Sequence, residues 1–140
     1  MSNPGPASTQ SIHPSNLATN QALRLIASAQ GVNLNSVGDT VAPILVAGNV
    51  SVQSIIVANA STSLTNAYLA VYTGPGATGT AVKSTYALSG NSSTTKVVVT
   101  AATSTDSITT TPLYIRNTTV QGSAATADVF IYGYDLTFQS

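Results

Sequence analysis

From Val32 onward the chain is cut into short segments rich in Val, Ile, Thr and Tyr, separated by Gly, Asn, Ser and Pro. β-Branched and aromatic side chains fit a pleated, half-buried surface, while the residues between them are those that turn a chain. Segments of this kind at this spacing are the mark of a sandwich. They cover 31–36, 41–47, 50–59, 67–73, 80–87, 94–101, 112–118 and 126–138. About eight short strands and no firm helix predict an all-β chain, a jelly-roll-like antiparallel β-sandwich. The 140 residues make one domain, which buries roughly two-thirds of the surface its unfolded chain would expose.

Side-chain alternation says more than strand content. In Asp128–Tyr134 one face carries Phe130, Tyr132 and Tyr134, and the other Val129, Ile131 and Gly133. Tyr68 and Tyr72 share one face of their segment, with Leu69 and Val71 on the other, and the run Ile55-Ile56-Val57 is apolar on both. A strand apolar on both faces needs cover on both, and a two-layer sandwich covers only one. Two readings follow: the second face meets a neighbouring chain, or tyrosines pave a solvent face with their hydroxyls outward. Tyr68, Tyr72, Phe130, Tyr132 and Tyr134 are therefore candidate interface residues.

The first 20 residues hold three of the six prolines and no apolar periodicity, as an extended arm or a disordered tail would. Residues 16–30 admit a short helix capped by Asn16, carrying Leu17, Leu23, Leu25 and Ile26 and stopped at Gly31. An extended run into the first strand, or a mixture of the two, is the favoured alternative. The expected division is an arm over 1–30 and a sandwich domain over 31–140. Ile12 and Leu17 are the arm's sizeable apolar anchors after Met1 and join the candidate interface residues. Twenty extended residues reach up to about 70 Å, far enough to cross to a neighbouring subunit.

Catalytic chemistry finds little to work with. Charged residues are 6% of the chain, four Lys and Arg against four Asp, with one His and no Cys. Four scattered cations neutralise few phosphates, which argues against a nucleic-acid partner. The missing Cys excludes disulfides and thiolate metal sites. His13 sits in a Pro- and Ser-rich stretch, where a solvated imidazole is the expectation. Asp39 and Asp106 lie in turn-forming contexts. Asp128 and Asp135 flank one segment without calcium-loop spacing. The 39 Ser and Thr residues include no Gly-x-Ser-x-Gly elbow. Gly74-Pro75-Gly76-Ala77-Thr78-Gly79 matches the dinucleotide fingerprint letter for letter. That fingerprint needs a helix after the glycines and an acid about 20 residues on. Here β-formers follow, and the downstream segment is Thr94-Thr95-Lys96-Val97-Val98-Val99. A tight turn between strands is the expectation. No catalytic residue, cofactor or metal is expected, and the chain is read as a non-enzyme.

Addresses and anchors are equally sparse. Ala27-Ser28-Ala29 imitates a signal-peptidase site, but the apolar stretch before it is only Leu23-Arg24-Leu25-Ile26. No run approaches the roughly 18 apolar residues of a membrane-spanning helix, so no membrane partner is expected. Four Asn-x-Ser/Thr sequons, at Asn49, Asn59, Asn91 and Asn117, are about what so Ser/Thr-rich a chain produces by chance.

Four stretches carry a family likeness. They are Val32-Asn33-Leu34-Asn35-Ser36-Val37-Gly38-Asp39-Thr40, Ile55-Ile56-Val57-Ala58-Asn59-Ala60-Ser61-Thr62-Ser63-Leu64, Leu69-Ala70-Val71-Tyr72-Thr73-Gly74-Pro75, and Ala124-Ala125-Thr126-Ala127-Asp128-Val129-Phe130-Ile131-Tyr132-Gly133-Tyr134-Asp135-Leu136. In this order they resemble small virion structural proteins of tailed bacteriophages and prophages, of the capsid decoration or cement type. The resemblance spans roughly residues 31–137 and consists of strand-and-turn patterns, so it brings no catalytic residues. It implies a jelly-roll-like sandwich that forms a homo-oligomer, with a trimer favoured. Such a protein clamps major capsid protein subunits on the outside of the virion after synthesis in the host cytoplasm. A tail, fibre or baseplate component would use the same fold and composition. A carbohydrate-binding module would need aromatic platforms beside Asp, Asn or Arg, and a chain with no Trp and six Tyr offers few.

Overall fold

The structure is a computed structural model, and it describes residues 23–46, 49–101 and 112–136. Its eight strands are β1 (Arg24–Asn33), β2 (Gly38–Ala42), β3 (Val50–Ala58), β4 (Tyr68–Gly74), β5 (Thr78–Ala87), β6 (Val97–Thr100), β7 (Leu113–Thr119) and β8 (Thr126–Asp135). Among the described residues the helical content is one 3₁₀ turn, Pro75–Ala77. The strands form two four-stranded sheets, ordered β1-β8-β3-β6 and β2-β7-β4-β5, with every pairing antiparallel. Eight antiparallel strands split between two sheets in this interleaved order make a jelly roll. The all-β sandwich expected from the alternation is the observed fold.

Inward positions supply the core. Ile55, Val57, Val129 and Ile131 from one sheet and Leu69, Val71, Leu113 and Ile115 from the other are all fully buried in a single apolar cluster. Each is worth about 1.5–3 kcal/mol relative to exposure. The β-branched residues that fit the pleat are thus also the residues that fill the space between the sheets.

Two expected segments are placed differently. The first strand, read as 31–36, begins at Arg24, inside the expected 1–30 arm. Two bulges hide it from a period-2 reading. Leu25 pairs with Tyr132 and Ala27 with Ile131, so Ile26 is an extra residue. Ala29 pairs with Val129 and Val32 with Ala127, so two residues face Asp128. Each insertion flips the alternation, which made Leu23, Leu25 and Ile26 resemble one helical face. The helix alternative is thereby replaced by strand over 24–30; residues 1–22 of the expected arm, with Ile12, His13 and Leu17, lie outside the described residues. The second strand, read as 41–47, is β2 over 38–42. Pro43 cannot donate to a ladder and ends it. The chain then crosses β1: Ile44 bridges Ala27, and the Leu45 N–H donates to the Ile26 carbonyl at 2.7 Å.

A few polar side chains fix the frame. The Gln121 amide oxygen accepts from the N–H groups of Thr65, Asn66 and Ala67 at 3.1–3.2 Å, and its amide nitrogen donates to Thr65 Oγ1 at 3.2 Å. One buried side chain thus satisfies three consecutive backbone donors in the loop before β4. At the β1 bulge, Asp128 accepts from the Gly31 N–H at 2.9 Å and from Asn59 Nδ2 at 3.0 Å. Gly31 has φ +65° there, the left-handed conformation that such a bulge uses.

Candidate functional site

The chemistry a chain like this offers lies on the two outer faces of the sandwich. Register and burial define the face of the β1-β8-β3-β6 sheet. Ser28, Phe130, Ile56 and Val98 pair in sequence across its four strands, and Leu25, Tyr132, Ser54 and Thr100 form the row beside them. Phe130, Tyr132, Ile56 and Leu25 are half-buried, and Val98 is 53% exposed. Tyr134 continues this side of β8 opposite Ser51. Neither row contains an acid or a cationic side chain, but Asp128, paired with Ala58, lies on the same outer side of β8, and exposed Lys96 stands two residues before Val98.

The opposite face sets aromatic residues beside an ion pair. On the β2-β7-β4-β5 sheet Tyr72 pairs with Tyr114, which pairs with Val41, 51% exposed. Arg116 follows on the same side of β7 and meets Asp39 of β2 at 3.0 Å. The second oxygen of Asp39 accepts from the Gly76 N–H at 2.7 Å, tying the tip of the β4–β5 hairpin to the sheet. Tyr68 is 39% exposed at the start of β4, and Ala70, between the two tyrosines, is buried beneath its neighbours on this side.

The five candidate interface residues in the described chain therefore fall into two groups that do not meet. Phe130, Tyr132 and Tyr134 lie on one outer face, and Tyr68 and Tyr72 on the other. Sequence reading missed Tyr114 and Val98. The two-sided test applied to Leu113-Tyr114-Ile115 and to Val97-Val98-Val99 would have found both, because each run is apolar at consecutive positions. Leu25 had no such signal, since the bulge at Ile26 disguises its side.

Some of the remaining polar groups have structural partners. Asp135 is 6% exposed and sits 3.6 Å from Arg24. Among the described residues no three His, Cys, Asp or Glu side chains come together as a metal site would require. Asp106 and His13 lie outside the described residues. Gly74–Gly79 forms the 3₁₀ turn and the start of β5, with no helix after it, as the turn reading expected. Tyr86 is inward and its hydroxyl has no hydrogen-bond partner; burial pushes its pKa well above the usual phenol value. A depression of about 340 Å³, open to solvent, is lined by Ala58, Asn59 and residues 92–96. It contains none of the aromatic residues of either face.

No protein-family model matches the chain, and no curated protein matches it. Among solved structures, a chain from the structure of infectious bursal disease virus, Gx strain, matches at TM-score 0.31 and 18% identity. The match covers 85% of this chain and 34% of that one, so this chain spans about a third of the other's length. A likeness that slight adds nothing to the assignment of the fold, which rests on the strand order.

Proposed function

We propose that the chain is a structural virion protein that self-associates and binds the outside of a bacteriophage capsid, stabilising the shell as decoration or cement proteins do. The observation that carries this reading is the apolar and aromatic outer face of the β1-β8-β3-β6 sheet, which no element among the described residues covers, on a molecule with very few charges. A surface with so few charged groups has little colloidal protection as a free monomer, and a protein held in a shell needs less of it. Neutral Ser and Thr groups allow wide contact without the desolvation that buried ions demand. No catalytic role is assigned to any residue.

The reading is tested by melting empty heads of the encoding phage with and without the bound protein. A ligand that prefers the mature lattice stabilises it by mass action, so decorated heads should melt at higher temperature. Equal melting of decorated and bare heads would remove the cementing function. Labelled protein found on tails in virion images would favour a tail component instead.

A further inference from the structure

We infer that the outer face of the β1-β8-β3-β6 sheet pairs with the same face of a second copy of the chain, about a two-fold axis running along β3. This rests on the self-association in the proposed function and adds to it the face, the symmetry and the contacts.

The placement of two charges selects the partner. Asp128 of β8 pairs with Ala58 of β3. On the other flank of β3 the register Ile56–Val98 and Val57–Val97 runs on to set Lys96 beside Ala58, and these two residues line one depression. This row therefore holds a carboxylate and an ammonium on opposite sides of β3, each one strand spacing, about 4.8 Å, away from it. Among the described residues the ion pairs are Arg24–Asp135 and Arg116–Asp39, and neither includes Asp128 or Lys96. Asp128 is held by the Gly31 N–H and by Asn59, which bring no positive charge, and Lys96 is exposed. Such a face is its own complement. A half-turn about an axis along β3 exchanges the two flanks, so Asp128 of each copy comes opposite Lys96 of the other. The same rotation lays Phe130 over Val98 of the second copy, sets Tyr132 against Thr100, and brings Ile56 against its own counterpart. The half-buried Phe130 and Ile56 and the 53% exposed Val98 then cover one another. An axis along β8 instead would set Asp128 against Asp128. Two sheets in contact this way pack with their strands aligned. The other outer face offers no such exchange, because Asp39 and Arg116 already neutralise each other within one copy. An isologous pairing closes at two copies, against the trimer that the resemblance implies. The three strands that meet are only about 14 Å wide, and a standard interface buries about 800 Å² per partner. The dimer is therefore weak and concentration-dependent in solution.

The chain has no Cys, so a single introduced thiol reports the axis. Full-length Ile56→Cys should be joined into covalent dimers by a short bismaleimide, with a yield that rises with protein concentration. Val41→Cys, at a valine 51% exposed on the opposite outer face, should give only background. Adding Lys96→Asp to Ile56→Cys should cut the yield about tenfold or more, because carboxylates then oppose each other at both ends of the contact. Lys96→Gln should lose less, and neither change should move the melting point, since Lys96 is exposed and outside any ion pair. Mixing the Lys96→Asp protein with an Asp128→Lys protein, both carrying Ile56→Cys, should restore crosslinking, because the two variants complement each other. If Asp128→Lys does not fold, the Ile56 and Lys96 variants decide alone. Absence of dimers from Ile56→Cys, equal yields from Val41→Cys, or an undiminished yield with Lys96→Asp overturns the inference. Head melting with the parent protein judges the capsid reading separately. Stabilised heads without Ile56→Cys dimers leave that reading standing and remove this one; dimers without stabilised heads do the reverse.

Discussion

Tyr86 and Gly133 show how single residues report on this core. The Tyr86 hydroxyl is buried without a partner, so Tyr86→Phe removes a desolvated group and loses no hydrogen bond. It should stabilise the protein by about 1 kcal/mol, seen as a melting point about 3 °C higher. The same burial has a pH signature. The folded pKa of Tyr86 lies above its unfolded value, so folding favours the protonated phenol. That contribution is complete below the unfolded pKa of about 10 and is lost as pH rises above it. Parent stability should therefore fall more steeply above about pH 10 than that of Tyr86→Phe, and parallel alkaline denaturation curves would contradict this. Gly133 faces the β3 bulge at Gln53, and a Cβ there would run into the Ser51 carbonyl and lie 2.9 Å from Val52 Cα. Both neighbours are backbone atoms that cannot swing away. Gly133→Ala should lower stability by about 3 kcal/mol, read from the urea midpoint.

At the level of elements, polar side chains hold the loops against the sheets. Gln121→Ala would leave the N–H groups of Thr65, Asn66 and Ala67 without their acceptor and should destabilise by about 2–3 kcal/mol. Gln121→Glu retains carboxylate acceptors for those donors and should lose less; equal losses in chemical denaturation would show that the oxygen is not what matters. The bulge in β1 is held by Asp128, whose bonds to Gly31 and Asn59 cross between elements distant in sequence. These bulges are also why the first strand was illegible. A period of two is readable in β8, where Ala127, Val129, Ile131, Gly133 and Asp135 are buried in strict alternation. In β1 two extra residues break the period, and only pairing with β8 shows which side each residue takes.

For the whole molecule, the sparse charge predicts behaviour in salt. Binding to heads by a chain with so few charges should change little with added salt, because little long-range attraction is there to be screened. A steep decline with ionic strength would point to ionic docking through Arg24, Lys83, Lys96 or Arg116. Deleting residues 2–20 should leave a folded sandwich, since every core residue among the described residues lies at Ile26 or later. Its melting point should barely move, while affinity for heads or cohesion of the oligomer falls. Equal head binding and equal cohesion in the truncated and full-length proteins would remove the arm from the interface.

The sequence by itself determined the fold class and most strand positions. Runs such as Ile55-Ile56-Val57 and Val129–Tyr134 are short and rich in the β-branched and aromatic residues that favour strands, and Gly, Pro, Asn and Ser fix the breaks between them. It also placed Phe130, Tyr132 and Tyr134 on one side of their strand and Tyr68 and Tyr72 on one side of theirs, because alternation is a local property. What it left undecided was which sheet each strand joins. That depends on pairings such as β8 between β1 and β3, set by packing between residues a hundred positions apart. Only the tertiary structure put the two tyrosine groups on opposite outer faces. Only it gathered Phe130, Ile56 and Val98 into one neutral row while pairing Arg116 with Asp39 on the far side. The make-up of each outer face arises between strands, in the lateral order of the sheets, and no reading along the chain contains that order.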